Sequence, residues 1–276
     1  MTLPKLQPAQ TYLVAAMATV CMSCAAQGAN AYSAQEDAQM LKRYQQKSGK
    51  KPAAERSYSE AVALLLRGNC SAAIPLLKET QRIDPSCAGA YVAEGYCESF
   101  LQQDTAAIAS LTRAIAIDPD NGLYHYRKGL YLFSVQRFGD AIDALNRALE
   151  LRPSDAEALR LRARCYRKLG DVARAIADYT TLIDKKSFTT EALCERGNLN
   201  FTKDDYEKAL ADFDQALAKD PNLGEAFAGR GTVFYRQGKY QLAIDNFTAA
   251  VVCGTDKATY CTMTIGECKR KLRLAK

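Results

Sequence analysis

GLYHYRKGLYLFSVQRFGDAIDALNRALELRPSD, running from Gly122 to Asp155, decides how the chain is read. Thirty-four residues on, AEALRLRARCYRKLGDVARAIADYTTLIDKK (Ala156–Lys186) repeats its pattern in other letters. Aligned in steps of 34 from Ala54, the chain falls into six blocks: 54–87, 88–121, 122–155, 156–189, 190–223 and 224–257. Position eight holds Ala61, Gly95, Gly129, Ala163, Gly197 and Gly231, and position twenty holds only alanine: Ala73, Ala107, Ala141, Ala175, Ala209 and Ala243. Position twenty-four is large (Leu77, Leu111, Leu145, Tyr179, Phe213, Phe247), and position twenty-seven holds Thr80, Ala114, Ala148, Leu182, Ala216 and Ala250. Small residues at eight and twenty allow two antiparallel helices to approach closely, and the large residue at twenty-four fills the space between pairs. Apolar residues three and four apart in each half predict two amphipathic helices per block. Gly68-Asn69, Gly139-Asp140, Gly170-Asp171 and Gly238-Lys239 read as the turns between them. Pro85, Pro119, Pro153 and Pro221 at position thirty-two stop the second helix, because proline cannot continue one. Ser187 in that column predicts a longer or looser turn.

The pattern resembles the tetratricopeptide repeat (TPR) family, whose unit is a helix–turn–helix of 34 residues. The resemblance implies an all-α fold: a right-handed α-solenoid of six repeats, 54–257, closed by a C-terminal capping helix over 258–276. Arrays of this kind need a terminal helix with a polar outer face. The family's position four is usually large; here it holds Ser57, Tyr91, His125, Leu159, Leu193 and Phe227, which makes the first repeat the least typical.

The N-terminus differs in composition. One Lys (Lys5), an uncharged run from Tyr12 to Ala26, and Ala29-Asn30-Ala31 match a secretory signal over 1–31. The apolar run is short for a membrane span of ~20 residues. Retention as an N-terminal anchor, or acylation at Cys21 or Cys24, are the alternatives. Residues 32–53 read as a polar linker. A secreted or periplasmic location follows from the signal; a membrane association follows only from an uncleaved signal or a lipid anchor. The balance of 37 Lys+Arg against 31 Asp+Glu, formally +6, is spread along the chain, which argues against a nucleic-acid partner.

No catalytic motif is present. The only histidine, His125, falls at a packing position. There is no phosphate-binding glycine loop, dinucleotide fingerprint or H-E-x-x-H. Cys253, Cys261 and Cys268 lack the short spacing of a zinc site. The chain is read as no enzyme, with no cofactor and no metal. Beyond the leader, Cys70, Cys87, Cys97, Cys165, Cys194, Cys253, Cys261 and Cys268 remain, an even number that suits an oxidising compartment. In a stack of helical hairpins the start of one second helix lies beside the end of the next first helix. That brings Cys70 towards Cys97. Cys165 and Cys194 fall on neighbouring first helices, and Cys253 and Cys261 on either side of a turn. These six are the candidate disulfide partners. Three glycosylation sequons start at Asn69, Asn200 and Asn246, the last two on predicted helices.

By the resemblance, positions two, five, nine, twelve and thirteen line the concave face. They supply an apolar strip (Val92, Tyr96, Phe100, Tyr126, Leu130, Phe133), a basic strip (Arg160, Arg164, Arg167, Lys168) and a mixed end (Asn198, Phe201, Tyr235, Arg236). The expected partner is a protein or peptide with an apolar and an acidic segment. The expected function is a non-catalytic scaffold outside the cytoplasm. The alternative is an accessory subunit that recruits an envelope or secreted enzyme.

Overall fold

The computed structural model describes residues 51–274 and is built of α-helices. Two compact units divide at Pro153/Ser154. The first carries α1 (Pro52–Leu66), α2 (Cys70–Ile83), α3 (Ala88–Phe100), α4 (Asp104–Ile117), α5 (Gly122–Ser134) and α6 (Phe138–Leu151). The second carries α7 (Ala156–Lys168), α8 (Val172–Asp184), α9 (Thr189–Thr202), α10 (Tyr206–Lys219), α11 (Gly224–Arg236), α12 (Tyr240–Val252) and α13 (Ala258–Leu274). In each unit consecutive helices pack as hairpins, and in the second α13 packs on α12. The leader and most of the 32–53 segment lie outside the described residues. Pro52 and Ala53 belong to α1, with proline in the first turn, where its missing N–H costs nothing.

The columns of the repeat meet in space. Position twenty is wholly buried in all six hairpins, as is position twenty-seven. A Cβ on Gly129 would lie 2.8 Å from Leu145 Cγ; on Gly197, 2.9 Å from Phe213; on Gly231, 2.9 Å from Phe247. Position eight is therefore small because position twenty-four of the same hairpin occupies its space. In the first hairpin Ser57 does not fill the core; its neighbour Tyr58 does, at 1% exposure. A Cβ on Gly89 would meet the Tyr58 ring, so α3 opens with a residue that leaves the tyrosine room.

Each hairpin turn has one left-handed residue, at position fifteen: Gly68, Gln102, Gln136, Gly170, Asp204 and Gly238, with φ between 58° and 78°. The following N–H closes a wide turn back to the helix: Asn69 to Leu64 O, Arg137 to Leu132 O, Lys239 to Phe234 O. This is the Schellman arrangement, which satisfies carbonyls the helix end leaves open. Gly139, expected as a turn residue, instead lies inside α6; the turn of that hairpin is made three residues earlier, at Gln136. Asn69, Asp171 and Asp205 then cap α2, α8 and α10 by accepting backbone N–H bonds. The junction at Ser187 has the same length as the proline-bearing ones. What it lacks in proline it makes up with two left-handed residues, Lys186 and Phe188.

Candidate functional site

In the first unit, the strip expected to face a partner splits. Val92 is 1% exposed and belongs to the core with Leu111, Tyr124 and Tyr131, so it is not available for binding. A β-branched side chain one turn into α3 is drawn inward because α4 and α5 close over it. Tyr96 is half-buried against the first core, and Phe100 stacks on it with ring centroids 6.5 Å apart. Phe100 stays 46% exposed at the last turn of α3. On α5, Tyr126 and Leu130 are half-buried, and Phe133 meets Phe138 edge-on at 5.3 Å. The accessible apolar surface is thus the Tyr96–Phe100 stack together with the outer edges of the α5 residues.

In the second unit, the basic strip is an ion-pair network. The Arg160 guanidinium donates to Glu157 at 2.7 Å and to Glu191 at 3.1 Å, and lies over the Phe188 ring at 4.7 Å. Arg167 pairs with Glu195 at 3.3 Å. Arg164 is half-buried and Lys168 exposed. The glutamates of positions two and six on the next helix over cancel the charge that the arginines bring, so the face is zwitterionic rather than basic. At the far end Asn198 is half-buried, Phe201 packs on Tyr206, and exposed Arg236 lies 5.9 Å from the Phe201 ring. Tyr235 is taken up by α13: its hydroxyl donates to Glu267 at 2.5 Å and accepts from Lys271 Nζ at 3.3 Å. Lys271 also lies over the rings of Tyr235 and Tyr240.

A second network is legible in the sequence only when positions seven and twenty-three are read together. Arg162 donates two bonds to Asp178, at 2.9 and 2.7 Å. Arg196 grips Asp212 at 2.6 Å and also donates to Thr180, while Asn200 donates to Asp212. Arg230 donates to Asn246 at 2.6 Å and to Asp214 at 2.5 Å. Each rung ties the first helix of a hairpin to its second. Asn200 and Asn246 are buried rungs of this ladder, and Asn69 caps α2, so all three sequon asparagines have structural duties.

His125 is half-exposed, not a core residue; Nε2 lies 2.8 Å from the Pro119 carbonyl and ties α5 to the preceding turn. Among the described residues no group of three or more His, Cys, Asp or Glu is placed to hold a metal. No described helix is long and apolar enough to cross a membrane. All eight described cysteines are free thiols, so none of the expected bridges is formed in this structure. Cys194 lies in a core cluster with Leu193 and Phe213 that does not include Cys165. Cys261 is fully buried against α12, whereas Cys253 caps that helix half-exposed. Burial pushes the thiols of Cys165 and Cys194 up to about 12.

One family model, described as a tetratricopeptide repeat, matches residues 126–188 and 194–258, and a second of the same description matches 88–121. Together they span more than half the chain. The chain belongs to the tetratricopeptide repeat family. Anaphase-promoting complex subunit 3 of Dictyostelium discoideum is 31% identical to this TPR protein over 77 residues, which is 28% of this chain and 8% of that one. The match therefore takes in only a small part of that relative. Among solved structures, Pseudomonas aeruginosa pilF is 17% identical with a TM-score of 0.61, covering 81% of this chain and all of that one. YrrB, a TPR protein with an unusual peptide-binding site, is 17% identical with a TM-score of 0.58, covering 70% of this chain and 97% of that one. These likenesses show the TPR fold.

Proposed function

We propose that this TPR protein is a non-catalytic scaffold that binds a protein partner outside the cytoplasm. The observation that carries the reading is the Tyr96–Phe100 stack on α3, in which half-buried Tyr96 supports a Phe100 ring that stays 46% exposed. Aromatic side chains held rigid give much contact area for little ordering entropy, and they dominate interface energetics. Peptide binding by YrrB and the place of the Dictyostelium relative in a complex support a binding role for such repeats. The partner segment is extended or helical and apolar where it meets α3 and α5. An acidic portion would have to compete with Glu157, Glu191 and Glu195 for the arginines, so acidity is the lesser part of recognition. The location rests on the leader-like sequence of residues 1–31.

The test replaces Phe100 with a photo-reactive phenylalanine analogue in the source organism. The expected result is a discrete protein adduct that is lost when Tyr96→Ser is added. Adducts indistinguishable from those of a probe at exposed Lys219 would overturn the reading of the Tyr96–Phe100 stack as a binding surface. N-terminal sequencing of the mature chain checks the location: a start at Tyr32 is expected, and an intact Met1 terminus in the cytosolic fraction refutes it.

A further inference from the structure

Two thiols meet in the core of the first unit. Cys70 is the first residue of α2 and Cys97 lies in the last turn of α3. The two helices pack against each other, and both side chains sit in one apolar cluster with Tyr58, Leu65, Leu77 and Ala93, at 2% and 0% exposure. The two thiols lie close enough to shift each other's proton affinity. A third thiol, Cys87, belongs to the same cluster but precedes α3, ten residues before Cys97. Along a helix that separation is about 15 Å, well beyond the ~7 Å between Cα atoms that a disulfide spans. Cys87 also follows the far end of α2 from Cys70. Cys70 and Cys97 are brought together where α2 packs on α3.

We infer that Cys70 and Cys97 are a disulfide-forming pair that staples the first hairpin to the second when a low-molecular-weight or protein disulfide acts as oxidant. Their environments divide the roles. Cys70 opens α2, whose N-terminal end favours a thiolate there, and the neighbouring Cys97 thiol lowers it further against the effect of burial. The same contact, with burial and the charges of Glu94 and Glu98, raises Cys97. Cys70 thiolate attacks a sulfur of the oxidant's disulfide and forms a mixed disulfide, releasing one oxidant thiolate. With the charge on Cys70 gone, Cys97 loses its proton to solvent and its sulfur attacks Cys70 Sγ, expelling the second oxidant thiolate. Two thiols lose two electrons and two protons; one oxidant disulfide becomes two thiols. Because both sulfurs are buried, exchange proceeds during folding or through local opening of the first hairpin.

The experiment equilibrates the full chain with glutathione buffers of rising disulfide-to-thiol ratio, quenches in acid, alkylates in denaturant and maps the peptides. Cleavage after Lys, Arg and Glu separates Cys87 from Cys97 at Glu94. The expected product is a cross-link between the Cys70 and Cys97 peptides, retained in Cys87→Ser and lost in Cys70→Ser and Cys97→Ser. The oxidised chain is expected to melt roughly 5 °C above the reduced chain, and Cys70→Ser to show no oxidant-dependent shift. Full alkylation of both thiols across the whole series, or a cross-link from Cys70 to any other cysteine, overturns the inference. The wild-type map decides this even if a variant fails to fold. The assay is independent of where the chain resides, so its failure leaves the scaffold reading standing.

Discussion

Gly129 shows how tightly single positions are specified. Its α-hydrogens face Leu145 Cγ and Cδ2, which a Cβ would approach to 2.8 and 3.0 Å. Gly129→Ala forces one of two fully packed elements to shift and is expected to cost about 1–3 kcal/mol, read as a lower midpoint in urea. The same change at Gly139, where a Cβ meets nothing within 4 Å, removes flexibility from α6 and is expected to stabilise. Glu98 is a case of electrostatics against burial. Desolvation raises its carboxyl above the ordinary value, although the Ser110 hydroxyl donates to it at 2.7 Å and pulls the other way. An acid raised in the folded state binds its proton more tightly there than when unfolded. Stability is therefore fully retained below the ordinary carboxylate pKa and falls as pH rises through the folded value. Glu98→Gln keeps the acceptor and removes the charge. It is expected to raise the thermal midpoint at pH 7 and to lose that gain at pH 3; an equal gain at both pH values would show that the effect is not ionisation.

The helices end for a common reason: the six left-handed residues at position fifteen. Left-handed backbone costs a side-chain-bearing residue about 1–2 kcal/mol, and three hairpins bear it with Gln102, Gln136 and Asp204. Gln136→Gly is expected to stabilise the α5–α6 hairpin slightly, and Gly170→Ala to destabilise α7–α8 by about 1 kcal/mol; equilibrium unfolding of the two variants compares them. The arginine ladder acts between helices. Asp212 is 3% exposed and is held by Arg196 and Asn200. Arg196→Leu leaves a buried carboxylate without its cation and is expected to cost about 3–5 kcal/mol. Replacing Arg196 and Asp212 together with apolar residues is expected to cost much less, since neither charge is then stranded. A double-mutant cycle in urea measures the difference.

For the second unit as a whole, α13 covers the apolar face of the last hairpin. It buries Cys261, Thr264 and Cys268 against α12 and engages Tyr235 through Glu267 and Lys271, while Met263, Lys269 and Arg270 face water. A chain ending at Lys257 would uncover the surface around Phe247 and Ala250. Exposed end surfaces of repeat arrays associate and unfold readily. The truncated chain is expected to lose roughly 3 kcal/mol of stability from the uncovered apolar area and to scatter light on warming; an unchanged melting curve would show that α13 is dispensable.

Helix type, the repeat period and the columns of small and large residues are all present in the sequence by itself. They follow from local periodicity and from side-chain volumes that recur in register, and Gly129 facing Leu145 is the contact those volumes require. The turn at Gln136 was not legible, because a left-handed glutamine is paid for by the hairpin around it and leaves no mark in composition. The fate of the expected binding face was decided by tertiary structure alone. Val92 is covered by α4 and α5, the Arg160 and Arg167 charges are met by glutamates from α9, and Tyr235 is claimed by α13. Periodicity states which way a side chain points, but whether a neighbour a full repeat away covers it, neutralises it or leaves it to solvent depends on three-dimensional packing.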